Sequence, residues 1–186
     1  MEEVTKRHLD AMLLDELEHD RHDWIIRGLI AHGATITAEQ FYDCVCHITY
    51  DHMDSPKPIP YDIIQILIDA GTDLNYQGDT CENVLCFVIS CLDITLMKML
   101  IKGGINLNII VFEYEDKSLL DDLHDKRDME LLGDRVNLRQ QYHALDHIIA
   151  LVEDAGALTG KEIIRQRLLN PDPPHPTKPS RHADAA

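Results

Sequence analysis

The sequence predicts an all-α protein, a short α-solenoid of about four helix-turn-helix units with short extended fingers between them. Three observations predict it. A nine-residue phrase recurs, as "LIAHGATIT" (29–37), "LIDAGTDLN" (67–75) and "LIKGGINLN" (100–108). Leu and Ile dominate the apolar residues while aromatics make up only 5% of the 186 residues, which favours helices over a β-sandwich. No proline occurs between residues 61 and 170, as a helical body requires.

The elements follow in order. Residues 1–20 read as a first inner helix, with Leu9, Met12, Leu13 and Leu17 at helical spacing. The polar "HDRHD" (19–23) marks the turn to an outer helix that ends at Gly33. Aligning the phrases on Gly33, Gly71 and Gly104 places Leu29, Leu67 and Leu100 four residues earlier. Ile25, Ile63 and Leu96 stand four before those, followed by Ile26, Ile64 and Met97. Apolar positions at that spacing make one stripe on a helix. Each glycine then ends its helix, because glycine takes the left-handed capping conformation cheaply. Gly156 in "LVEDAGALTGKEI" (151–163) is read as the fourth such cap. After the caps, "TDLNYQGD" and "INLNIIVF" alternate apolar and polar residues and read as extended, hairpin-like fingers. Inner helices begin near Leu14 and Leu85, each 19 residues before its glycine. Asn83 and Ser118 are placed to cap the inner helices that follow them. Such a unit cannot bury its apolar face alone, so copies must stack.

The 33-residue step from Gly71 to Gly104, with the phrases that close on it, resembles the ankyrin-repeat family. The resemblance covers roughly residues 5 to 165. It divides a domain of residues 1–170 into units near 5–37, 38–75, 76–108 and 109–165. Departures are plain. The family's Thr-Pro-Leu-His motif is absent, with Asn83-Val84-Leu85-Cys86 and Ser118-Leu119-Leu120-Asp121 in its place. From Gly33 to Gly71 is 38 residues and from Gly104 to Gly156 is 52, so the repeats are degenerate. The stretch 171–186, rich in proline, reads as a disordered tail.

Charge narrows the function. The formal net charge of −16 disfavours nucleic acid and anionic membrane as partners and suits a basic one. The first ten residues carry no apolar signal core, and five cysteines, an odd number, suit reduced thiols, so a cytoplasmic protein is expected. No apolar run is long enough to span a bilayer.

Candidate chemistry is sparse. His143 and His147 stand at i, i+4, a spacing that can hold zinc, but Ala144 replaces the glutamate of the protease pattern and no third ligand is visible. His19 and His22 fall in the turn. Cys44-Val45-Cys46-His47 lacks the gap of a metal or redox pair, and Cys81, Cys86 and Cys91 do not keep one helical face. No metal, cofactor or catalytic residue is assigned.

The better lead is acidic. From Glu113 to Asp134 nine acidic residues stand against three basic ones, starting at a finger tip where Phe112 and Tyr114 are interleaved. The resemblance implies that fingers and inner helices form a concave protein-binding face. The candidate contacts are Tyr76, Asp79, Glu82, Phe112, Tyr114, Glu115, Asp116, Asp121 and Asp122. The expected function is non-catalytic: an acidic inhibitor that occludes a basic partner, as ankyrin-type immunity proteins do for toxin effectors. Two alternatives stand beside it. One is an adaptor that uses the tail as a second site; the other is a metal-dependent enzyme built on the histidines.

Overall fold

The computed structural model describes residues 2–19, 21–53, 59–77, 83–112, 117–131 and 139–169. The tail read from residue 171 onward lies outside them. Nine helices form among the described residues: α1 (Glu2–Glu18), α2 (Asp23–Ala31), α3 (Ala38–Met53), α4 (Tyr61–Asp69), α5 (Val84–Cys91), α6 (Ile94–Lys102), α7 (Leu119–Leu131), α8 (Arg139–Asp154) and α9 (Gly160–Leu169). Two short strands, β1 (Ile110–Phe112) and β2 (Lys117–Ser118), pair antiparallel between α6 and α7.

The helices sort into two layers. Helices α1, α3, α5 and α7 pack successively on one another, and so do α2, α4, α6 and α8. Helix α9 packs on β2 and runs past residue 165. The outer-helix columns explain the layering. Seven residues before each capping glycine stand Ile26, Ile64, Met97 and Ile149, and four before stand Leu29, Leu67, Leu100 and Val152; all eight are buried. Burial of one such side chain contributes about 1.5–3 kcal/mol. One position nearer the glycine the column is mixed: Ile68 is buried, while Ile30 and Ile101 are half-buried.

The four outer helices end alike. Gly33, Gly71, Gly104 and Gly156 have φ of +93°, +81°, +85° and +87°. In each, the N–H of the next residue donates to the carbonyl five residues back at 2.9–3.3 Å, and the glycine N–H to the carbonyl three back at 2.9–3.0 Å. This pair of hydrogen bonds satisfies carbonyls that the helix would otherwise leave open. At the third cap two glycines serve different ends. Gly104 supplies the left-handed turn, while a Cβ on Gly103 would meet Ile68 Cγ2 at 2.7 Å and Leu74 Cδ1 at 2.9 Å. Gly103 therefore lets the end of α6 lie close against the preceding unit.

Inner helices start on side-chain caps. Asn83 Oδ1 accepts from the Cys86 N–H at 2.9 Å, and Ser118 Oγ accepts from the Asp121 N–H at 3.2 Å. Without the Thr-Pro pair, the chain uses any short polar residue that reaches the third N–H. The turn at 19–22 is closed by Arg21, whose φ is +56°. Its Nε donates to the Leu17 carbonyl at 3.1 Å and its Nη2 to Asp51 on α3 at 2.7 Å. His22 binds Glu16 through its N–H at 2.7 Å and contacts it through Nδ1 at 2.9 Å. The polar turn thus holds α1 to α2 and α3.

Candidate partner-binding surface

The fingers follow the caps, and the second, third and fourth are joined by a repeated side-chain hydrogen bond. Asn75, four residues after Gly71, accepts from the Asn106 N–H, two after Gly104, at 2.8 Å. Asn108, four after Gly104, accepts from the Leu158 N–H, two after Gly156, at 2.8 Å. The same fingers are bent alike: Asn75 N–H donates to Asp73 Oδ1 and Asn108 N–H to Asn106 Oδ1, both at 2.9 Å. At the first described finger Asp10 on α1 takes the asparagine's place. Its Oδ1 accepts from the Thr35 N–H, two residues after Gly33, at 2.7 Å. Lys6 pairs with Asp10 at 3.0 Å and donates to Thr35 Oγ1 at 2.7 Å. The Asp10 carboxyl is held below its ordinary value, chiefly by the Thr35 N–H, against an opposing effect of burial and with help from Lys6. The asparagines end two of the repeated phrases, so the signal was present in sequence; the role of Asp10 depends on folding alone.

Of the candidate contacts, Tyr76 lies on the second finger and is half-buried. Its ring sits 5.6 Å from that of Tyr42, and its hydroxyl donates to Glu39 at 3.5 Å. Phe112 ends β1, with its backbone opposite Lys117. Asp79, Glu82, Tyr114, Glu115 and Asp116 lie outside the described residues. Asp122 is only 17% exposed at its side chain and pairs with Lys126 at 3.2 Å.

Asp121 has an internal role. Its Oδ2 accepts from Ser118 N–H at 3.0 Å, from Ser118 Oγ at 2.9 Å and from Gly160 N–H at 2.6 Å. It ties the start of α7 to the start of α9. Burial pushes its carboxyl up, but the Ser118 and Gly160 N–H groups and the Ser118 hydroxyl outweigh that and leave it lowered. Its carboxylate faces donors of its own chain rather than open solvent.

The histidines do not converge. His143 and His147 are exposed on α8. Among the described residues no group of three or more His, Cys, Asp or Glu side chains is placed to hold a metal ion. Among them, too, no helix is long and apolar enough to cross a membrane.

No protein-family model matches the chain, and no solved structure does. A stretch of 52 residues, 27% of the chain, is 44% identical to part of YahD of Escherichia coli (strain K12), a protein whose name places it among the ankyrin repeat proteins. The stretch spans 25% of that protein's length. Over about a quarter of its residues, then, this chain is similar to an ankyrin-type protein.

Proposed function

We propose that the chain is a non-catalytic protein-binding module of four degenerate ankyrin-like units, and that its acidic surface occludes a basic partner. The observation that carries this reading is the repeated joint: helix pair, left-handed glycine, finger, and an asparagine or aspartate that accepts the next finger's N–H. The partial likeness to YahD agrees with it. A stack of this kind spends its sequence on an extended surface rather than on a pocket that converges on one reacting atom. With 33 acidic residues against 17 basic ones, that surface repels acidic partners and attracts basic ones. A toxin effector with a positively charged cleft is the class of partner such a surface fits, as in an immunity protein. Occlusion needs no chemistry, only rapid capture and a buried anchor. Tyr76 and the residues 112–116 are the proposed anchors, with Asp79 and Glu82 on the rim.

The test is capture from the cells that make the protein, at low and moderate salt, with a Glu115→Lys/Asp116→Lys variant alongside. One basic protein held by the wild type and lost by the variant is the expected result. The same set of weak partners on both versions would reduce the acidity to a solubility device and defeat the occlusion reading.

A further inference from the structure

We propose that α1 and α2 open together, as one unit, along their seam with α3 and α4, and that the bond from Arg21 to Asp51 is the latch of that seam. The proposal stands apart from the partner reading, and either can fail alone. In a stack, stability is a sum over units and over the seams between neighbours. The weakest seam therefore decides where the molecule opens short of unfolding.

The seams differ first in their finger joints. Thr37 stands four residues after Gly33, where Asn75 and Asn108 stand after their glycines. Its hydroxyl accepts from the Gln40 N–H at 3.1 Å, and its own N–H donates to Gln40 Oε1 at 2.9 Å. Thr37 thus caps α3 instead of reaching the next finger. The Asp73 N–H, two residues after Gly71, has no acceptor among the described residues. The corresponding N–H groups of Asn106 and Leu158 are both bonded to the preceding finger.

Packing differs in the same sense. A cavity of about 320 Å³ lies between α1 and α3, with Leu14 and Leu17 facing Gln40 and Cys44. Another, of about 140 Å³, lies between Thr35 and Ile36 on one side and Ala70, Thr72 and Asp73 on the other. Side chains that line a void lack attractive contacts there. At the next seam the cavity between the fingers is about 20 Å³. There the Tyr61 hydroxyl on α4 also donates to Asp93, which caps α6, at 2.8 Å. Across the first seam Arg21 Nη2 reaches Asp51 Oδ2 at 2.7 Å, and the aspartate side chain is 47% exposed. Water and salt reach that pair and weaken it.

The pair of helices is better tied within itself. Asp10 on α1 accepts from the Thr35 N–H beyond the end of α2, and Glu16 accepts from the His22 N–H at the start of α2, both at 2.7 Å. These bonds survive when the seam opens, so the two helices move as one.

Native-state hydrogen exchange of the full chain in rising, sub-denaturing urea tests this. The protected amides of α1 and α2 should exchange through one shared opening, faster than those of α6 and with a smaller urea dependence, since less surface is exposed. Arg21→Gly keeps the left-handed turn, which glycine takes freely, and removes the latch. It should speed exchange in α1 and α2 about tenfold. Asn108→Ala breaks a joint that stays closed while the first seam opens. It should speed the slowest amides of α6 about fivefold and leave α1 and α2 unchanged. One urea dependence shared by α1, α2 and α6, or equal acceleration of all three by Asn108→Ala, would overturn the seam. Exchange of α1 while α2 stays protected would also overturn it, because that is the fraying of one helix. An Arg21→Gly rate equal to the wild type would overturn the latch. The wild-type urea dependences answer the question even where a variant folds poorly.

Discussion

Asp121 shows what a single carboxylate can do between two helices. Three donors converge on one oxygen, and the resulting lowered pKa ties the fold to pH. A carboxyl with a depressed folded pKa contributes stability above its unfolded value, about 3.9, and loses it as pH falls through the folded one. The wild type should therefore lose melting temperature as pH drops below about 4. Asp121→Asn should melt lower at neutral pH and show a shallower acid slope, with the two curves converging in strong acid. Parallel curves would mean that the Ser118 and Gly160 bonds together do not hold the carboxyl down. Asp10 and Glu162 are lowered too, by the Thr35 and Thr159 N–H groups first, so some slope should remain in the variant. In the sequence Asp121 is one acid among nine. Its two bonds to Ser118 follow from the three-residue spacing, but nothing local announces its contact with Gly160, 39 residues away.

At the scale of elements, what the sequence revealed was what local physics decides. The stripe at Ile26, Ile64 and Met97 implied one buried helix face, and all three side chains are sealed. The glycines implied left-handed turns because few residues adopt that conformation at low cost. Asn83 and Ser118 cap their helices through bonds three residues long, well within reach of a sequence argument. The cavity between α1 and α3 was not legible. It lies between helices that are held together by the bond from Arg21 to Asp51, 30 residues apart. The finger joint was half legible, since the asparagines were visible but their acceptor role was not. It supports a prediction of its own. Asn75→Ala should cost about 1 kcal/mol and speed hydrogen exchange at the Asn106 amide. Asn75→Asp keeps the accepting oxygen, as Asp10 shows at the first unit, but sets a carboxylate against Asp73 Oδ1, which Asn75 Nδ2 contacts at 3.2 Å, so it should recover only part of the loss. Equal losses in the two variants would mean that the joint depends on the amide nitrogen rather than on the accepting oxygen.

For the whole molecule, the net charge of −16 is a standing repulsion. Raising ionic strength from about 0.01 M to about 1 M shrinks the screening length from about 30 Å to about 3 Å. The melting temperature should rise with salt as that repulsion is screened. A fall would mean that exposed pairs such as Lys6–Asp10 outweigh the repulsion. The joints also set a rule for how a chain of this design can change length. Capping glycines stand 38, 33 and 52 residues apart, yet the interval from glycine to accepting asparagine is four in both asparagine joints. One interval is rigid and the other elastic. Evolution, or an engineer, can splice new sequence between joints and gain a new surface. One residue added inside the four-residue interval would misalign a joint and uncouple the two units it connects.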